Sequence, residues 1–302
     1  MNVSRTIISA KPATARSGVM LADYVSIIKP GIVLGNLVTL AGGFFLAARG
    51  IADFRLLFDT MLGLALVVAS GCVFNNIIDR DIDTRMRRTH DRVLASGVVR
   101  PATAALYATV LGIFGFGMLA LTTNMLVMVA AIAGFVIYVG VYSLYMKRHS
   151  VWGTLVGSLS GAVPPVVGYC AVRGSFDGGA AIVLLIFALW QIPHFYAIAI
   201  HRLKDYVAAG VSVWPAVKGI KSAKRQIVIN VAGFTMAAAS LSLAGYTGRV
   251  FLLVALALGG YWLYLAQSGF TTDDDIIWSR KLFVFSIIVV LAISVTMALD
   301  YQ

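Results

Sequence analysis

Residues 57–83 read LFDTMLGLALVVASGCVFNNIIDRDID, an apolar run that gathers Asn75, Asn76, Asp79, Arg80, Asp81 and Asp83 into its last nine positions. The stretch 57–77 predicts a membrane-spanning helix, which needs about 20 largely apolar residues. Asn75, Asp79 and Asp83 lie at i, i+4 and i+8, one stripe of a helix that continues to Asp83. Oxygen-bearing side chains at the end of an apolar helix cost desolvation energy unless something cationic satisfies them. A hard divalent ion such as Mg²⁺ does so, keeping one or two carboxylates and completing its shell with substrate phosphate oxygens. The alternative is that Asp79, Asp81 and Asp83 pair with Arg80, Arg85 and Arg87.

Working outward, the rest of the chain has the same solvent. Of its 302 residues, 60% are hydrophobic and 12% charged, with mean hydropathy +0.89. Soluble domains run at about 45–50% apolar and about 25% charged. A soluble two-domain enzyme, a disordered chain and a disulfide scaffold are therefore excluded. Eight more spans are predicted at 27–48, 102–121, 124–145, 152–172, 179–200, 226–246, 250–268 and 281–299, giving an all-α polytopic bundle of nine helices in a single domain, 1–302. Cys72 and Cys170 sit in separate apolar stretches and read as small core residues.

Charge sets the orientation. The net charge is +11, and all thirteen acids are Asp. With the N-terminus inside, twenty Lys and Arg fall on the inner segments, while only Arg49, Arg55, Arg173 and Arg249 fall outside. This bias predicts an N-in, C-out topology, with residues 1–22 a cytoplasmic tail. It also accounts for the positive charge without nucleic acid. The two long loops, 78–101 and 201–225, both fall on the inner side, so chemistry is expected there.

Other polar clusters flank these loops. Arg85, Arg87, Arg88 and Arg92 follow the carboxylate stripe, and guanidinium forks match phosphate oxygens bidentately. His194, His201 and Asp205, at i, i+7 and i+11, share a face if the sixth helix runs through. There Asp205 is a second metal position, Lys204 neutralises phosphate, and each His is either an interfacial residue or a substrate contact. Tyr138, Tyr142 and Tyr145, followed by Lys147 and Arg148, are either interface anchors or aromatic faces that stabilise a nearby cation. Gly153, Gly157 and Gly161 predict close helix approach. Pro164, Pro165 and Pro193 predict kinked or broken helices.

Several of these segments together resemble the UbiA-type intramembrane prenyltransferases, and within them the branch that farnesylates haem. They are Lys29-Pro30, Asn75 to Asp83, Arg88 to Arg92, Gly161 to Gly168, Trp190 to Phe195, and Asp205-Tyr206 with Gly210. The resemblance implies Mg²⁺ and farnesyl diphosphate held at the cytoplasmic end, with transfer to the 2-vinyl group of haem B and addition of water. It assigns the metal–diphosphate to Asn75, Asp79 and Asp83, with Arg88 and Arg92 as phosphate contacts. Together with the reading of the residues themselves, the expected metal set is Asn75, Asp79, Asp83 and Asp205, the substrate contacts are Asn75, Asn76, Arg80, Arg88, Arg92, His194, His201 and Lys204, and the catalytic residues are Asp79, Asp83, Tyr142 and Lys147. A lipid bilayer around the bundle and a downstream haem A synthase are the expected partners, and the short N-terminal tail points to a bacterial inner membrane over a mitochondrial one.

Where the wider superfamily is rich in Asp, this chain carries His194 and His201 and keeps only Asp205. That departure disfavours a quinone-precursor prenyltransferase. A transporter or proton channel would also explain intramembrane Asp, but here the polar groups cluster at the inner ends and do not thread the midplane.

The topology is testable by cysteine accessibility in a Cys72- and Cys170-free background. A cysteine at position 91 is expected to label only from the inner face; labelling from outside would overturn the charge argument.

Overall fold

The structure, a computed structural model, describes residues 19–302; residues 1–18 of the expected cytoplasmic tail lie outside the described residues. A short helix α1 (Leu21–Ile27) precedes the first span. Nine long apolar helices follow among the described residues: α2 (Pro30–Ala48), α3 (Phe54–Asp83), α4 (Pro101–Thr122), α5 (Met125–His149), α6 (Gly153–Arg173), α7 (Gly178–His201), α10 (Ile220–Leu243), α11 (Arg249–Ser268) and α12 (Asp275–Leu299). Two short helices, α8 (Leu203–Ala208) and α9 (Trp214–Lys218), occupy the connection between α7 and α10.

Local chemistry sets the helix ends. The side chains of Asp53, Asn124, Asp177 and Asp274 accept backbone N–H groups of the first turns of α3, α5, α7 and α12, satisfying donors that a helix start leaves free. Pro30 and Pro101 begin α2 and α4, where the missing N–H costs nothing. Three helices outrun their apolar cores. The second span ends at Asp83 instead of 77, the seventh begins at Ile220 instead of 226, and the ninth begins at Asp275 instead of 281. Hydropathy marks where the lipid stops, whereas backbone hydrogen bonding carries the helix past it.

In the bundle, α3 lies along α4, α2 packs on α3, α6 and α12, and α7 packs on α6, α10 and α12. Outward faces are apolar, with Leu121, Met125, Met236 and Leu253 exposed, as lipid contact requires. The tightest approach is between α2 and α6. A Cβ on Gly43 would lie 2.0 Å from the Pro165 carbonyl oxygen, and one on Gly168 would lie 2.1 Å from that of Leu40. The Gly153, Gly157 and Gly161 series splits in role. A Cβ on Gly157 would meet the Tyr142 ring at 3.2 Å, and one on Gly161 would meet the Gln191 amide at 1.7 Å. Gly157 and Gly161 make room for side chains, whereas Gly153 lets the Met146 backbone approach, its carbonyl oxygen 3.2 Å from where a Cβ would stand.

The prolines do not break their helices. Pro164 and Pro165 lie inside an unbroken α6, and Pro193 inside an unbroken α7. The irregular span is α5, whose residues Val136–Met146 wind as a π-helix. Such i→i+5 winding is rare and short in most proteins, and often sits at functional sites.

Gly168→Leu is expected to separate α2 from α6. Overpacking of this kind costs about 1–3 kcal/mol, so the detergent-solubilised protein should show a lower melting temperature by size-exclusion thermostability, with Gly117→Leu, which meets open space, as the neutral control.

Candidate active site

Because α3 continues to Asp83, Asn75, Asp79 and Asp83 lie along one helix at its C-terminal end, and all three are buried. Each is held by a different helix or loop. Asp79, 1% exposed, receives the Lys147 ammonium from α5 on Oδ2, and the Asn75 amide donates to the same oxygen at 2.9 Å. Asn75 Nδ2 also donates to Ser143 Oγ at 3.0 Å, while its Oδ1 accepts from Lys29 Nζ at 2.6 Å. Asp83 accepts Arg92 Nη1 on both oxygens, at 3.0 and 2.9 Å, and Thr89 Oγ1 donates to its carbonyl at 3.1 Å. Asp81 is forked by Arg148 at 2.8 and 2.7 Å.

All three aspartates are thus ion-paired, but none to Arg80, Arg85 or Arg87. Successive residues on a helix are 100° apart, so Arg80 turns outward, donating only to the Ile77 carbonyl at 3.1 Å. Asn76 turns the other way for the same reason. Its Nδ2 donates to the last carbonyl of α1, that of Ile27, at 2.8 Å, and it does not line the cavity described below.

Lys29 sits in the break between α1 and α2 with φ 53°, a left-handed conformation that a following proline and a buried partner hold in place. Desolvation by burial pulls its pKa down to about 8, opposed by the negative charge of Asp79 among others.

Above this cluster lies a cavity of about 590 Å³. Asn75, Lys147, Tyr142 and Tyr206 line its inner end, and Leu64, Val67, Phe135, Val163 and Phe187 line its depth. Leu64 is eleven residues from Asn75 on α3, about 16 Å along the axis at 1.5 Å per residue. The Tyr138 and Tyr142 rings stack at 6.3 Å and 14°, both facing the cavity. Tyr145 does not join them; it is 64% exposed and stacks on His149 at 5.0 Å. The π winding is the reason. In an α-helix residue 145 would return to the face of 138 and residue 147 would oppose it. With i→i+5 winding, nine residues make about two turns, and Lys147 reaches the cavity instead. Ser143 Oγ donates to the Tyr138 carbonyl, five residues back, at 2.8 Å.

The second constellation divides. His194 lines the cavity, its Nδ1 2.7 Å from Ser286 Oγ. The expected run of α7 through to Asp205 does not occur, because Arg202, at φ −112° and ψ 17°, ends the helix. His201 is the last residue of α7, its Nδ1 on the Ala197 carbonyl at 2.8 Å, and it lies outside the cavity lining. Asp205 falls on α8 in a new register and is also absent from the lining, where its neighbour Tyr206 stands. Lys204 and Arg88 are exposed. The two long inner loops nevertheless meet: Ile82 and Met86 bury against Ala209 and Val211, and Val211 and Val213 roof the cavity.

The metal question turns on one atom. Asp79 Oδ1 is buried without a hydrogen-bond partner, and its neighbours Asn75 and Asp83 offer further hard oxygens. Among the described residues no group of three His, Cys, Asp or Glu converges to hold an ion. The unpartnered Asp79 oxygen fits an ion such as Mg²⁺, which takes as few as one or two carboxylates and leaves its other positions to phosphate and water. Asp205, on α8, does not join this set. Sequence reasoning missed Lys29, Ser143, Gln191 and Ser286 as site residues. The available signal was a polar side chain in or beside an apolar span.

A model of the UbiA prenyltransferase family matches residues 36–288. The protoheme IX farnesyltransferase of Edwardsiella ictaluri is 56% identical over 283 residues, 94% of this chain and 96% of the relative. That of Klebsiella pneumoniae is 56% identical over the same shares. Among solved structures, a digeranylgeranylglyceryl phosphate synthase superposes with TM-score 0.76 at 16% identity, over 93% of this chain and 98% of the other. A UbiA homolog from Archaeoglobus fulgidus bound to DMAPP and Mg²⁺ gives 0.70 at 17% identity, over 89% of this chain and 99% of the other. At these identities the structural likeness establishes the fold.

Arg92→Ala would leave the buried Asp83 carboxylate unpaired, a loss of roughly 1–3 kcal/mol that falls on the 84–100 segment it anchors. Trypsin is expected to cut that segment several-fold faster than in the parent protein; an unchanged rate would mean that the Asp83–Arg92 pair does not hold the loop.

Proposed function

The chain belongs to the UbiA prenyltransferase family, and we propose that it transfers the farnesyl group of farnesyl diphosphate to the 2-vinyl group of haem B, with addition of water, giving haem O and diphosphate. The observation that carries this reading is a single cavity, apolar along its depth and closed at its inner end by Asn75, Lys147 and Tyr142. It stands in a chain 56% identical to a protein named protoheme IX farnesyltransferase. An isoprenoid tail suits the apolar depth; a diphosphate suits the charged end.

Each group then has a task. Lys147 and Lys29 bring two ammonium groups to the Asp79–Asn75 pair, and with Arg92 they place positive charge where the diphosphate leaves. Such preorganised charge, acting in a site shielded from water, lowers the barrier to breaking the allylic C–O bond. Mg²⁺, held by Asn75, Asp79 and Asp83, would supply further charge stabilisation to the departing diphosphate. Arg80, Arg88 and Lys204 would meet phosphate from the solvent side as substrate arrives. Tyr138 and Tyr142 present stacked faces to the allylic cation, worth about 0.5–2 kcal/mol each. The apolar lining excludes stray water until the vinyl carbon has bonded.

His194 contacts the acceptor within the cavity, and His201 guides it at the mouth. The protein is a multi-pass membrane protein. Residues 1–302 act as one domain, placed here in a bacterial inner membrane with the site loops cytoplasmic, and the product passes to a haem A synthase.

Purified protein given haem B, farnesyl diphosphate and Mg²⁺ should form haem O with release of diphosphate. Asp79→Asn should lower turnover at least about a hundredfold, the scale of several kcal/mol of transition-state stabilisation, and chelation of Mg²⁺ should do the same. Full activity of Asp79→Asn at equal protein level would remove the carboxylate stripe from the mechanism, and activity on a quinone precursor but not on haem B would replace the acceptor.

A further inference from the structure

The chemistry of the acceptor leaves one step without a residue. Once the vinyl carbon attacks the allylic cation, positive charge moves to the carbon next to the porphyrin ring, and a water oxygen must bond there and lose a proton. Deep in an apolar cavity that water needs a holder and that proton needs an acceptor. Resting on the reading above, we propose that His194 is the catalytic base of this hydration step, with Gln191 as the residue that positions the water.

Hydrogen-bond bookkeeping around Ser286 fixes the tautomer. Ser286 Oγ lies 2.6 Å from the Phe283 carbonyl oxygen. A carbonyl can only accept, so the one hydroxyl proton is committed there. The 2.7 Å contact between Ser286 Oγ and His194 Nδ1 must then run the other way, with Nδ1–H donating to the hydroxyl. In the neutral ring with its proton on Nδ1, Nε2 carries the lone pair.

Packing fixes the ring as well. His194 stacks on Trp190 at 4.8 Å and 28°, and Phe283 lies 4.9 Å away. Trp190 Nε1 donates to the Ser286 carbonyl at 2.8 Å, locking the same residue from its other end. No protein group bonds Nε2 among the described residues, and the ring lines the cavity. An oriented imidazole with a free basic nitrogen in a substrate cavity is equipped to take a proton.

Gln191 supplies the second, independent observation. It lies one turn before His194 on the cavity side of α7 and is only 8% exposed. Its carboxamide has no hydrogen-bond partner among the described residues, although it both donates and accepts. Gly161 gives it room, since a Cβ there would fall 1.7 Å from Gln191 Nε2. A buried amide left unpaired by the protein is a seat for a polar molecule, and beside a base that molecule is water.

The step balances. The water oxygen gives its electron pair to the ring-adjacent carbon, forming the C–O bond, and one O–H bond breaks to His194 Nε2. The imidazolium then passes that proton to solvent as product leaves. Without the base, the same cation instead loses a C–H proton to the departed diphosphate and becomes an alkene lighter by one water.

The test is product analysis by mass spectrometry, with heavy-oxygen water, for the membrane-reconstituted protein and its His194→Phe, Ser286→Ala and Gln191→Leu variants. Diphosphate release and haem titration by absorbance accompany it. Among the farnesylated products that His194→Phe still forms, the hydroxylated fraction is expected to fall about a hundredfold, with the alkene in its place. Gln191→Leu and Ser286→Ala should shift the same ratio by less, and they carry the test if His194→Phe does not fold. A variant product that remains fully hydroxylated and labelled, with haem affinity lost instead, would overturn the proposal and leave His194 an acceptor contact alone. Absence of any farnesylated haem from the parent protein would be a failure of the underlying function, not of the hydration step.

Discussion

Asp79 is a carboxylate at the end of an apolar helix, almost fully withdrawn from water, and the inner half of the bundle is built so that this charge is compensated. Left alone, it would be protonated or would pull the end of α3 out toward solvent. The Lys147 ammonium from α5 and the amide of Asn75 hold it in place. Asn75 in turn draws Lys29 from the start of α2 and Ser143 from α5. One buried charge therefore ties three spans together at the mouth of the cavity. Its second oxygen is left without a partner, the feature on which the proposed cation site rests.

That design resolves a conflict between stability and function. Fully satisfied buried ion pairs bring modest net stabilisation, because desolvation offsets attraction. A pair with one orphaned oxygen leaves part of the desolvation cost of Asp79 uncompensated. The apolar remainder of the cavity meets no such conflict. Its walls are ordinary packed side chains, and glycines on α6 hollow them where the Tyr142 ring and the Gln191 amide need room.

The roof of the site follows from the loops. Ile82 and Met86, just past the carboxylate stripe, bury against Ala209 and Val211 from the connection between α7 and α10. Arg92 and Thr89 fold the first loop back onto Asp83. The two connections are held together over the cavity by a small apolar cluster and a few polar anchors.

Sequence alone determined the solvent, the helices and the stripe. Composition left no soluble alternative, hydropathy placed all nine spans, and the four-residue period from Asn75 to Asp83 needed only a helix that continues. These are local properties, set by each residue and its neighbours along the chain. The partners across space were not legible. The nearest arginines, Arg80, Arg85 and Arg87, are neighbours in sequence but point away on the helix, while Lys147 and Arg92 arrive from elsewhere. Assuming a regular α-helix grouped Tyr145 with Tyr138, and only the π winding of Val136–Met146 turned Tyr145 outward and Lys147 inward. Likewise the shared face of His194 and Asp205 required a helix that Arg202 ends. Periodicity can be counted from residues, but a change in winding or a broken turn is decided by packing against the other helices, and that energy exists only in the folded bundle.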